Sequence, residues 1–139
     1  MKKMETKTTN QELVDLVGGL HAVKDLKGVT FALAVAKNLE TIQTELQHID
    51  DASKPTEEFI KVAEQIQALA KETGKEEEIK KIEEANKHLT EERKKQLEEV
   101  SELLKEEASV ELKMITTSKL PSDISADQIM KINKIIIDN

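Results

Sequence analysis

Residues 29–49 read VTFALAVAKNLETIQTELQHI, and their spacing decides the fold. Val35, Leu39, Ile42, Leu46 and Ile49 alternate steps of four and three. Such a seam repeats about every 3.5 residues, the period of helices packed in a coiled coil or hairpin. Ala32, Ala34 and Ala36 at its head allow a close helix neighbour. A helix is therefore predicted from Val29 onward.

Lys54-Pro55 interrupts the seam. Proline lacks the N–H that a helix interior needs, so it either starts a new helix after a Ser53 cap or kinks a continuing one. Phe59, Val62, Ala63, Ile66, Leu69 and Ala70 form the next stripe, up to Thr73-Gly74-Lys75. Gly74 is the cap candidate there. Residues 76–107 read as one long charged helix with a sparse stripe of Ile79, Ile82, Leu89, Leu97, Val100 and Leu104. Residues 85–96 hold few apolar groups and are predicted to be exposed or to form the far end of a hairpin. Together, residues 29–107 predict a long antiparallel helical hairpin.

The flanks are shorter. Thr9-Asn10-Gln11-Glu12 matches a capping box, and the helix that follows carries Leu13, Leu16, Val17 and Leu20 on one face. Gly18-Gly19 sits inside that helix. Each glycine weakens it by roughly 1 kcal/mol relative to Ala, so close approach by a neighbour is expected. Leu26-Lys27-Gly28 is predicted to end the helix, with Gly28 in the left-handed region. At the other end, residues 110–116 alternate apolar and polar side chains, the pattern of a half-buried strand. Its partner is either the segment 3–8 or the same strand of a second subunit. Ser125-Ala126-Asp127-Gln128 is a second capping box, opening a final helix through Ile129, Met130, Ile132, Ile135 and Ile136. The expectation is a mainly α fold in a single domain, 1–139, with short terminal helices and a minor β element.

Composition removes several functions. The 139 residues carry a net charge of -7, with 35% charged and 37% hydrophobic residues. A chain of that sign repels duplex nucleic acid and anionic membranes. Phe31 and Phe59 are the only aromatics, too few for a base-stacking platform. Without cysteine there is no disulfide, thiolate nucleophile or zinc–thiolate site. The polar start, Met1-Lys2-Lys3-Met4-Glu5-Thr6, predicts no secretory signal. No run approaches the roughly 20 apolar residues that span a bilayer.

Searches for chemistry-bearing patterns give little. His21, His48 and His88 are not spaced as a helical metal pair. The runs Glu57-Glu58 and Glu76-Glu77-Glu78 read as solvated helix surface rather than catalytic carboxylates. No phosphate loop, dinucleotide fingerprint, nucleophile elbow or zinc-protease motif occurs. The chain is read as neither an enzyme nor a cofactor binder. One candidate ligand site remains. Lys24, Lys27, Gly28 and Thr30 stand where the second helix begins, with Lys37 and Asn38 further along it. Free N–H groups and the helix dipole favour anions at such a terminus, so a nucleotide-like phosphate is the expected ligand. The long, narrow seams at 35–49 and 79–104 predict a homo-oligomer, most simply a dimer.

Three stretches carry a resemblance: Thr9-Asn10-Gln11-Glu12-Leu13, residues 26–39 (LKGVTFALAVAKNL), and Leu103-Leu104-Lys105-Glu106-Glu107 running into residues 110–115 (VELKMI). Their layout resembles a family of small proteins encoded by tailed phages and prophages of Gram-positive bacteria. That family is similar in a T-N-x-x-L entry, a K-x-S/T-F/Y-A-x-A-K-N helix start and a C-terminal V-E-L-x-x-I…L-P segment. Residues 50–95 take no part in the likeness. The resemblance implies an origin rather than a chemistry. It suggests a non-catalytic binding protein in the cytoplasm of the infected host, acting in counter-defence by holding a nucleotide-like signal or a host protein. The alternative it leaves open is a virion or tail-assembly accessory.

Overall fold

The computed structural model describes residues 2–138. The chain runs β1 (Lys3–Thr9), α1 (Asn10–Val23), α2 (Val29–Ser53), α3 (Glu57–Ala70), α4 (Glu76–Ala85), α5 (Lys87–Lys105), β2 (Glu107–Lys113), β3 (Ile115–Thr116), α6 (Ala126–Lys131) and β4 (Ile136–Ile137). It is mainly helical with a minor β element, as the seam and the alternating segments predict. Two compact units divide it. One holds residues up to 48 together with those from 103 onward, and the other holds Ile49–Glu102.

The first unit closes around strands from both ends of the chain. β1 pairs antiparallel with β2, from Lys3 opposite Lys113 to Thr9 opposite Glu107. The strand predicted at 110–116 thus finds its partner at the N-terminal segment, but it starts earlier and ends at Lys113. Met114 donates its N–H to the Lys2 carbonyl, and Ile115–Thr116 leaves to pair in parallel with β4. The final helix is correspondingly shorter than predicted. It stops at Lys131, a 3-10 turn takes Asn133–Ile135, and Ile136-Ile137 is extended. A run of β-branched residues favours that outcome.

Both capping boxes form. The Thr9 hydroxyl accepts from the Glu12 N–H at 3.2 Å, and Ser125 does the same for Gln128 at 3.2 Å. The core gathers Leu13, Leu16, Leu20 and Val23 from α1, Phe31, Val35 and Ile42 from α2, Val110 and Leu112 from β2, and Ile132 and Ile135 near the C-terminus. Gly19 explains half of the glycine pair. A Cβ there would lie 2.6 Å from the Lys131 carbonyl oxygen, because α1 and α6 pack backbone to backbone. Gly18 meets nothing within 4 Å. α1 ends at Val23, earlier than predicted. Gly28 does adopt a positive φ of 125°, but it opens α2 instead: its carbonyl accepts the Ala32 N–H at 2.8 Å.

The second unit comprises the tail of α2, then α3, α4 and most of α5. Pro55 breaks the helix rather than kinking it, and Thr56, not Ser53, caps α3 through the Phe59 N–H. The last carbonyls of a helix have no partner within it. Here Arg93 donates to the Ser53 carbonyl at 2.6 Å, and Gln96 donates to those of Ala52 and Lys54 at 2.7 and 2.6 Å. The helix expected over 76–107 is two helices. Asn86 folds its carboxamide back onto the Ile82 carbonyl at 2.9 Å, a local bond that competes with helix continuation. The break turns Leu89 inward, leaving it 6% exposed.

Candidate functional site

The ligand site expected at the start of α2 does not assemble as one place. Lys24, Lys27, Gly28 and Thr30 are exposed on the connection and the first turn. Thr30 borders a small cavity of about 210 Å³ with Lys2, Met114, Thr116, Lys119 and Ile137. Lys37 points elsewhere, into a cleft it shares with Lys3 and Lys113. Asn38 is fully buried and serves the fold. Its carboxamide donates to the Lys113 carbonyl at 2.9 Å and accepts the Lys113 N–H at 2.7 Å. The side chain thereby stands in for one residue of an adjoining strand and fastens the end of β2 to α2. His21, His48 and His88 are all exposed. Among the described residues no three His, Cys, Asp or Glu side chains are grouped to hold a metal ion.

A sizeable cavity lies in the second unit, along the α3 stripe. It measures about 630 Å³. Phe59, Val62, Ala63 and Ile66 of α3 form one wall. Glu83 and Glu84 of α4 with Lys87, Leu89 and Thr90 of α5 form the other. Three local causes shape it. Thr56 sets the start of α3 and hence the direction of Phe59. The Asn86 break separates α4 from α5 and admits Leu89 to the wall. Arg93, held by the Ser53 carbonyl, lies over the Phe59 ring, 5.9 Å from its centroid.

What distinguishes this groove is incomplete burial. α3 carries a full amphipathic stripe, yet none of its side chains is buried. Phe59, Val62, Ala63, Ile66 and Leu69 are only partly buried. An apolar wall that is only partly covered departs from the sealed core of the first unit. The surroundings are acidic: Ile49–Glu102 contains sixteen Asp and Glu against ten Lys and Arg, so this unit holds most of the negative charge of the chain. In the sequence the α3 stripe reads as part of the 29–107 hairpin, and the stripe by itself does not show that it stays open. The signal that it stays open is the shortage of apolar residues at 85–96, which leaves little to cover it. No known protein family, curated protein or solved structure matches this chain.

Proposed function

We propose that the chain is a non-catalytic binding protein whose acidic helical unit captures a cationic amphipathic helix of a partner protein. The observation that carries this reading is the open groove between α3 and the α4–α5 break: an apolar wall with Glu83 and Glu84 on its rim. A helix with anchors at i, i+3, i+4 and i+7 fills such a groove with its apolar face. Its basic face then meets the excess of carboxylates, which speeds encounter and selects against acidic partners. The likeness to phage-encoded proteins would make that partner a host protein in the infected cell.

The test is titration of the whole chain with a labelled Leu/Lys amphipathic peptide. Binding should weaken as salt is raised. Val62→Asp should reduce affinity by at least about tenfold while helicity is unchanged, because Val62 is only half-buried. The double variant Glu83→Lys with Glu84→Lys should weaken the peptide too, without lowering the unfolding temperature. Equal binding by wild type and both variants would overturn the proposal. So would light scattering that shows a dimer dispersed by Val62→Asp, since a second copy of the chain would then own the groove.

A further inference from the structure

The outer face of the β1–β2 ribbon carries a pairing that the fold itself does not favour. Lys3 stands directly opposite Lys113 across the antiparallel strands. Like charges at such positions destabilise the pair. Lys37 joins them from α2, because Asn38 clamps the Lys113 backbone and so brings its own neighbour alongside. Among the described residues, none of the three ammonium groups is ion-paired with a carboxylate. The neighbouring Lys3, then burial, then the charges of Lys3 and Lys37 hold the Lys113 ammonium below the usual lysine value, with Glu111 acting in the opposite sense. The three line one cleft of about 550 Å³.

We propose that Lys3, Lys37 and Lys113 form a binding site for a compact phosphate-bearing anion. Three convergent ammonium groups are suited to a dianionic phosphoryl group, which relieves their mutual repulsion and accepts a charge-assisted hydrogen bond from each. The same cleft sets an upper limit on ligand charge and length. Glu40, Glu45 and Glu111 also line it and repel an extended polyanion. That lining favours a single terminal phosphate over a nucleic acid backbone. All residues of the site belong to the first unit, so it is independent of the groove.

The test uses inorganic phosphate and pyrophosphate at low ionic strength, followed by amide chemical shifts and thermal unfolding. Phosphate should raise the unfolding temperature of the wild-type chain more than sodium chloride of equal ionic strength does. Lys3→Gln should weaken phosphate by about tenfold, the loss of one charge-assisted contact. In phosphate-free buffer the same variant should unfold at a higher temperature than wild type, because it removes a like-charge pair. Lys24→Gln with Lys27→Gln should bind as wild type does. A Lys3→Gln chain with unchanged affinity would overturn the proposal. So would a response matched by sodium chloride, or a loss confined to the Lys24 and Lys27 double variant.

Discussion

α2 and α3 carry similar apolar stripes but end in different states. In the first unit Phe31 is 1% exposed and Ile42 is sealed completely. In the second, no side chain of α3 is buried, and Ile49 and Leu89 are the only buried apolar residues between 49 and 102. The cause lies outside the helices. The first unit draws covering elements from both ends of the chain: β1, β2, the Ile115 strand and the turn around Ile132. The second has only neighbouring helices, with α3 packed on α4. A stripe is buried according to the surface available to cover it, whatever its own hydrophobicity. One unit therefore supplies stability and the other supplies an open surface.

The largest expected effect separates the two directly. Leu112→Ala or Ile42→Ala removes a fully buried side chain and should cost about 2–5 kcal/mol. Ile66→Ala, on the partly buried groove wall, should cost less, about 1–2 kcal/mol, since its side chain keeps part of the solvent contact it has when unfolded. Urea unfolding of the three variants measures both. Comparable costs would mean that the groove is in fact closed in solution.

The same contrast explains what could be read in advance. Helix-forming periodicity, both capping boxes and the strand at the C-terminal side depend on neighbours within a few residues, and each is written in a short segment. Thr9 and Glu12, or Ser125 and Gln128, need no knowledge of the rest of the fold. The β1–β2 partnership was legible as one of two alternatives, because the alternating strand at 110–116 needs a partner and segment 3–8 or a second subunit could supply it. Its register was not, and that register sets Lys3 against Lys113, while the Asn38 clamp brings Lys37 to them. Asn38 was read as a ligand contact because a buried carboxamide that replaces a strand residue has no local signature. The break at Asn86 was missed for a different reason. Asparagine is only a mild helix breaker, and the surrounding charges read as continuous helix. The groove depends on that break, so it was hidden with it.

A sharper test of close packing against open surface lies within one helix. Gly18 and Gly19 are adjacent and equivalent in sequence. Gly18→Ala should stabilise the chain by about 0.5–1 kcal/mol, because the new methyl group meets nothing and the unfolded chain loses freedom. Gly19→Ala should destabilise it by about 1–3 kcal/mol, because its Cβ meets the Lys131 backbone and α6 must shift. Thermal unfolding of the two variants should therefore move in opposite directions from wild type. Changes of the same sign would show that α6 does not rest on α1.

The smallest effect concerns the surface of the first unit. Lys134 reaches Glu12 at 2.8 Å, joining the segment after α6 to the first turn of α1. Its hydrogen bond is the main cause that holds the Glu12 carboxyl below its usual value, followed by the Thr9 N–H and the Lys134 charge. A carboxyl with a lowered folded pKa stabilises the fold above its ordinary titration range, and that contribution disappears as pH falls through the folded value. Lys134→Ala should therefore lower the urea midpoint slightly at neutral pH, within the range of exposed ion pairs. The difference from wild type should shrink as the solution is acidified and vanish once Glu12 is protonated in both chains. Raising the salt at neutral pH should shrink it as well. A difference that persists in acid would assign the Lys134 contribution to the packing of its aliphatic stem instead of its charge. The junction of α1 with the C-terminal segment would then rest on packing, as it does two turns further along α1, where Gly19 meets the Lys131 backbone.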